Sequence, residues 1–378
     1  VAPDASRATS DSQEQATIMI PVTILTGFLG SGKTTLLKRI LNEKHGMKIA
    51  VIENEFGEEN IDNEILVQET NEQIIQMSNG CICCTIRGDL ARALEDLAER
   101  KKAGTLDFDR VVIETTGLAN PGPVAQTFFM DNSIADEFLL DAIITLVDAK
   151  HANHQLDEHE VVQRQVGFAD RLFITKSDLI DADALEALKH RLVRMNPRAA
   201  IKVVNFGDAD IKEIFDLRGF NLNTKLEIDP DFLAEDDHDH EHDHGHDHAH
   251  DDDHDHATCG HDHSHDHDHA HHNHHHAHHD DKIKSFVFRS DRAFDPNRLE
   301  DFLGGILQIY GERLLRYKGV LYMKGVDRKV VFQGVHQMMG SDLAAKWQPI
   351  ETKNSKMVFI GIELPQDLII DGLTACLV

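Results

Sequence analysis

Short runs that are apolar at almost every position recur through the first half of the chain, at 22–25, 48–53, 110–114, 141–148, 171–175 and 200–204. Strands buried on both faces read this way, whereas a half-exposed strand alternates. Segments with helical spacing lie between them, at 35–41, 89–102, 158–168 and 182–195, with a short helix opened by Pro121. In the second of these, Leu90, Ala93, Leu94 and Leu97 share one face. Apolar strands alternating with helices predict an α/β domain with a mostly parallel sheet covered on both faces. Ligand-binding loops then belong at the carboxyl ends of the strands. A weaker strand is predicted at 72–77.

Beyond residue 282 the pattern differs. Strands are expected at 285–289, 314–323, 329–336 and 356–362, with a helix at 295–309 and a closing helix at 365–373. This predicts a small α+β domain with an antiparallel sheet. It holds no identifiable catalytic motif, and His336 and Trp347 read as packing residues. Between the two domains the apolar period vanishes. Of the chain's 27 histidines, 21 lie within 238–279, mostly alternating with aspartate. Such a stretch cannot bury enough surface to fold alone. The expected organisation is a disordered leader at 1–17, a P-loop domain at 18–233, a His/Asp-rich disordered linker at 234–282 and a C-terminal domain at 283–378.

Composition narrows the function classes. The chain of 378 residues is 41% hydrophobic, enough for sizeable cores, and carries a net charge of −28. That charge argues against a nucleic-acid or anionic-membrane partner. Much of it sits at 235–281, which holds 16 acidic residues and no lysine or arginine. Three of the five cysteines fall at Cys81, Cys83 and Cys84. That spacing suggests a thiolate site in a reducing compartment, not a disulfide framework. No apolar run is long enough to span a bilayer, and the leader lacks an apolar signal core, so a cytoplasmic location is expected.

The chemistry starts at Gly27-Phe28-Leu29-Gly30-Ser31-Gly32-Lys33-Thr34, between an apolar strand and a helical segment. This is G-x-x-x-x-G-K-[ST] in its required context. The glycines let the backbone wrap a phosphate, and successive N–H groups with the helix N-terminus point at the anion. Lys33 can reach the β- and γ-phosphates, and the Thr34 hydroxyl is placed to hold Mg²⁺. Gly27, Gly30, Ser31, Gly32, Lys33, Thr34 and Thr35 form the expected phosphate-binding set. Thr175-Lys176-Ser177-Asp178 follows a later strand. The Asp178 carboxylate can accept from guanine N1–H and its exocyclic amine, a donor pair adenine lacks, while the Lys176 stem lies over the base. GTP is therefore the expected nucleotide. Glu114, at a strand end, can orient the attacking water and contact the Mg²⁺ sphere, which Asp62 or Glu55 can complete. Lys33, Thr34 and Glu114 are the expected catalytic residues. No water-positioning glutamine or arginine finger stands out, so intrinsic hydrolysis is expected to be slow.

Gly80-Cys81-Ile82-Cys83-Cys84 supplies two or three soft ligands to one ion, between the P-loop and the Glu114 strand. Buried cysteines and a redox switch are the competing readings. The His-Asp tract can chelate Zn²⁺, Ni²⁺, Co²⁺ or Cu²⁺ in many interchangeable ways, or serve only as a spacer.

Five motifs occur here in one order: the P-loop, Glu53-Asn54-Glu55-Phe56-Gly57-Glu58, the cysteine motif, Glu114-Thr115-Thr116-Gly117 and Thr175-Lys176-Ser177-Asp178. In this the chain resembles the CobW/YjiA-type metal-chaperone GTPases. The runs Leu314-Leu315-Arg316-Tyr317-Lys318-Gly319 and Phe332-Gln333-Gly334-Val335 are similar to the C-terminal domain of YjiA-type members. The resemblance implies a GTPase that binds Zn²⁺, or Co²⁺ or Ni²⁺, and delivers it to a client metalloprotein. It implies metal ligands at Cys81, Cys83 and Cys84, with carboxylate help from Glu53 or Glu58. Cobalt delivery for cobalamin synthesis, activation of a metal hydratase, metal buffering and homodimer formation all stay open.

Overall fold

The structure, a computed structural model, describes residues 19–53, 86–220 and 281–378. The expected strand at 72–77, the leader, the His/Asp tract and residues Glu55, Glu58, Asp62, Cys81, Cys83 and Cys84 lie outside the described residues.

The first domain is built on strands β1 (Ile20–Gly27), β2 (Ile49–Glu53), β3 (Arg110–Glu114), β4 (Phe138–Asp148), β5 (Arg171–Thr175) and β6 (Ala200–Val203). They form one sheet in the order β2-β3-β1-β4-β5-β6, with every pair parallel. Helix α1 (Lys33–Asn42) covers one face through Leu36, Leu37, Ile40 and Leu41, all buried. Burying each such side chain is worth about 1.5–3 kcal/mol. The other face is covered by α2 (Ile86–Lys102), α3 (Pro121–Met130), α6 (Glu160–Phe168) and α7 (Ala182–Met195), with the short α4 (Asn132–Ala135) and α5 (Ala152–Glu158) at its margins. Helix α7 starts and ends where its periodicity predicts. Asp181 caps it by accepting from the Ala184 N–H at 2.7 Å.

Strands β7 (Ile283–Ser290), β8 (Leu314–Leu321), β9 (Arg328–Val335), β10 (Met338–Lys346) and β11 (Ser355–Ile362) form an antiparallel sheet in the order β10-β9-β8-β11-β7. Helices α8 (Pro296–Tyr310) and α9 (Gln366–Ala375) pack on one of its faces. From the opposite face Leu315, Val335, Val358 and Ile360 join the core of the first domain.

Three expectations need correction. Strand β10 has no counterpart in the sequence reading: only Ala344 among its residues is buried, so this edge strand shows no apolar alternation. The helix expected at 158–168 starts at Glu160, as α6, and a separate α5 with no counterpart in the sequence pattern ends at Glu158, with His159 extended between them at φ −128° and ψ 105°. Helix α5 buries only Ala152 and Leu156, too few to register as a period. The strand expected at 314–323 stops at Leu321.

Candidate nucleotide and metal site

The carboxyl ends of β1, β3, β4 and β5 converge on the glycine-rich loop. Gly27 leaves β1 with φ 139°, and a Cβ there would lie 2.4 Å from the Leu146 carbonyl oxygen and 2.7 Å from Ser31 Oγ. No side chain fits, so the loop turns against β4 only because the residue is glycine. Gly32, left-handed at φ 97°, occupies the N-cap of α1 and supplies no side-chain cap. That helix terminus therefore leaves its first N–H groups for a ligand. Gly30 is also left-handed, at φ 74°.

Lys33 is buried and donates from Nζ to the carbonyl oxygens of Gly27 at 2.9 Å and Phe28 at 3.2 Å. Burial holds its ammonium below the ordinary lysine value, with the Glu114 charge opposing. Thr34 Oγ1 donates to Glu114 Oε1 at 3.0 Å. Glu53 ends β2 in register with Glu114 at the end of β3, so the two carboxylate residues are neighbours at the sheet's carboxyl edge. Thr35 is exposed on the first turn of α1. Ser31 Oγ, beneath Gly27, and Thr116 Oγ1, just beyond Glu114, are both buried without a hydrogen-bond partner among the described residues. A glycine cradle, a buried ammonium on neutral acceptors and a Thr–Glu pair fit a magnesium-bound nucleoside phosphate.

At the base end, Lys176 is left-handed at φ 55°, and its Nζ donates to Asp148 Oδ2 at 2.6 Å. Asp148 is fully buried at the end of β4 and orients the Lys176 stem. Asp178 is exposed two residues on. The Ser177 N–H donates to Asn205 Oδ1 at 3.0 Å, and Asn205 Nδ2 donates to Ser177 Oγ at 2.9 Å. Thr175 Oγ1 donates to the Ser31 carbonyl at 2.9 Å. That bond ties the Thr175–Asp178 loop directly to the glycine loop.

Sequence reading missed these supports. Thr175 was noticed only as part of its motif, and Asp148 and Asn205 carry no motif. Helix α6 carries no motif, yet Gln165 Nε2 donates to the carbonyls of Gly117 and Ala119, both at 3.1 Å. His159, its N-cap residue, stacks on Phe28 of the phosphate loop at 4.9 Å. Gln163 Oε1 accepts from the Lys282 and Ile283 N–H groups at the start of β7. The available signal was Gln163 and Gln165 standing among valines at core-facing positions.

A family model of the CobW/HypB/UreG nucleotide-binding domain matches residues 21–203, and one of the cobalamin synthesis protein cobW C-terminal domain matches residues 283–377. The zinc chaperone YjiA of Escherichia coli is 39% identical over 353 residues, covering 92% of this chain and 96% of the relative. The chain belongs to the CobW family. Its similarity extends to the zinc chaperone CobW of Pseudomonas aeruginosa, 30% identical over 99% of this chain and 96% of that protein. The crystal structure of Zn(II)-bound YjiA GTPase from E. coli superposes with a TM-score of 0.70 at 34% identity, covering 95% of this chain and 99% of that one. The match to the CobW/HypB/UreG nucleotide-binding domain thus spans the parallel sheet, the glycine loop and the Thr175–Asp178 loop. No helix among the described residues is long and apolar enough to cross a membrane.

Proposed function

We propose that this protein is a GTPase that acts as a GTP-dependent zinc chaperone. The observation that carries the coupling is the register of Glu53 with Glu114 and the bond from Thr34 to Glu114. A carboxylate offered to cargo metal stands next to the one that touches the magnesium-holding threonine, so ordering one constrains the other. Lys33, Gly27, Gly30, Ser31, Gly32, Thr34 and Thr35 hold the phosphates, and Lys176 and Asp178 hold guanine. The Thr34 hydroxyl would hold Mg²⁺, which would supply charge neutralisation at the transferred phosphoryl group. Glu114 accepts from Thr34 and is placed to orient the attacking water, and Lys33 neutralises the γ-phosphate by leaving the loop carbonyls. Zinc takes thiolates from Cys81, Cys83 and Cys84, with Glu53 or Glu58 completing the set. The acceptor of the metal is a client metalloprotein, and the His/Asp tract gathers ions for the tighter site.

The relatives named for zinc and the donor set of thiolates with a carboxylate both support this reading. Its test is zinc affinity of the full chain by competition with a chelating dye, with GDP and with a non-hydrolysable GTP analogue. The same measurement on the Cys83→Ser/Cys84→Ser variant isolates the tight site from the histidines. Linkage requires nucleotide and metal to shift one another's affinity by one factor, typically about 5- to 150-fold. Equal zinc affinity in the two nucleotide states would reject the chaperone mechanism and favour a metal buffer.

A further inference from the structure

Phe206 is 81% exposed, on the loop that leaves β6. A single exposed phenylalanine needs no explanation on a protein surface. Its backbone does, because φ 55° and ψ 25° put a bulky L-residue in the left-handed region. That conformation costs on the order of 1–2 kcal/mol outside glycine and persists only where the surroundings enforce it.

Here they enforce it from four sides. The Val204 N–H donates to the Ile174 carbonyl of β5 at 2.8 Å. Asn205 exchanges hydrogen bonds with Ser177 of the base loop. Gly207 lies so close to α1 that a Cβ would approach Leu36 Cα at 3.1 Å and the Thr35 carbonyl at 3.2 Å. Asp208 pairs with Arg39 of the same helix at 2.6 Å. Each of these neighbours of Phe206 is anchored, Val204 to β5, Asn205 to the base loop, and Gly207 and Asp208 to the phosphate helix. The Phe206 backbone thus bridges the gap between these two anchors, with its ring exposed.

A nucleotide with its phosphates at the start of α1 and its base at Asp178 must cross this gap. We propose that Phe206 is a nucleotide-binding residue whose ring packs against the purine face, as a stacking surface distinct from the edge read by Asp178. It rests on the proposed placement of guanine at Lys176 and Asp178. Stacking uses the π-face that all purines share, so Phe206 adds affinity without discriminating between them. Asp178 discriminates without adding a stacking surface.

The test measures binding of GDP, inosine diphosphate, xanthosine diphosphate, ADP and inorganic pyrophosphate to the full chain by calorimetry. The Phe206→Ala and Phe206→Gly variants should each weaken GDP and inosine diphosphate by one common factor of about 5- to 150-fold, the loss a stacked base shows on alanine substitution. Pyrophosphate affinity should not change, and Phe206→Tyr should stay within about twofold of the parent because it keeps the ring. Phe206→Gly removes the backbone strain, so its nucleotide-free melting temperature should not fall, which separates binding from folding. If Phe206→Ala binds GDP like the parent while Asp178→Asn still shifts preference towards xanthine, the stacking role is overturned and the guanine assignment stands. An equal loss for pyrophosphate would mean a distorted loop and also overturn it. If the parent binds ADP as well as GDP and Phe206→Ala weakens both, stacking stands and the guanine assignment falls.

Discussion

Two of the sites where the described residues bury cations treat them in opposite ways. In the phosphate loop, Lys33 Nζ rests on the carbonyl oxygens of Gly27 and Phe28, both uncharged. At the boundary between the two domains, the buried guanidinium of Arg316 donates to Asp170 Oδ1 at 2.8 Å, with Arg198 at 3.7 Å from the same oxygen. Elsewhere Arg191 of α7 forks onto Asp281, just before β7, and reaches Asp157 at 2.6 Å. A buried charge on neutral acceptors still carries much of its desolvation cost, which an incoming anion relieves. A buried charge on a fixed carboxylate has already been compensated and gains little from a ligand. The first arrangement makes a receptor and the second a fastener, although the residue types are alike.

The difference breaks first at Asp170, which also accepts from the Ile143 N–H at 2.9 Å. Asp170→Ala leaves Arg316 and Arg198 without their shared carboxylate. The expected destabilisation is about 3–5 kcal/mol, the range for removing one partner of a buried pair. Urea denaturation of the nucleotide-free protein measures it. A loss below about 1 kcal/mol, the scale of an exposed pair, would show that the boundary cations are not held by this carboxylate.

Lys33→Ala should give the opposite profile. Stability of the nucleotide-free protein should hold or rise, since an amine whose charge is disfavoured by burial is removed. GTP hydrolysis should fall by about 10²–10³-fold, the usual loss for one preorganised charge-stabilising donor. A variant that unfolds but hydrolyses normally when folded would reverse the roles assigned to the two regions.

The two regions were also unequally legible in the sequence. The phosphate loop declares itself because its function requires particular residue types at fixed spacing, and the apolar runs of β1 to β6 needed no partner to be recognised. The register of Glu53 beside Glu114 was not legible, because it depends on β2 pairing with β3 across an intervening stretch of chain. Nor was the tie from Thr175 to the Ser31 carbonyl, 144 residues away. Arg316 and Lys318 drew notice only as parts of a familiar run, since a charged residue in a strand gives no sign of the carboxylate it will meet. Strand β10 was missed for a simpler reason: an edge strand with almost nothing to bury leaves no periodic trace.

Lys318 sharpens the account of the boundary. Burial, with Arg198 and Arg316 alongside and Asp170 opposing them, lowers its pKa to about 8 from an ordinary value of 10.5. Below about pH 8 both folded and unfolded chains hold the proton, and the cost of burying the charge is present in full. Between about 8 and 10.5 only the unfolded chain holds it, so this group makes stability rise with pH across that window. The limiting slope is about 1.36 kcal/mol per pH unit. Lys318→Met should flatten that slope and stabilise the protein at pH 7. Denaturant midpoints at pH 7, 8.5 and 9.5 compare the two proteins, and parallel pH profiles would remove Lys318 as the source.

The smallest expected effect lies inside the receptor. Thr175 Oγ1 is buried and has the Ser31 carbonyl at 2.9 Å and the Val147 carbonyl at 3.3 Å. One hydroxyl proton thus joins the loop that binds phosphate to the strand end that carries Lys176 and Asp178. Thr175→Val keeps the side-chain shape and removes the donor. The stability cost should be about 1 kcal/mol, that of one neutral hydrogen bond. Because the bond fixes the distance between the phosphate and base halves, GTP affinity should fall as well, by about fivefold if the whole of that energy is lost on binding. Thr175→Ser retains the donor and should restore affinity even where it leaves the lost methyl contact near Gly32 unfilled. Calorimetric GDP binding by the two variants decides between a hydroxyl that couples the halves and a methyl that merely fills space. A loss in Ser with Val unchanged would assign the effect to the methyl's packing, and the hydroxyl would then play no part in joining the two halves.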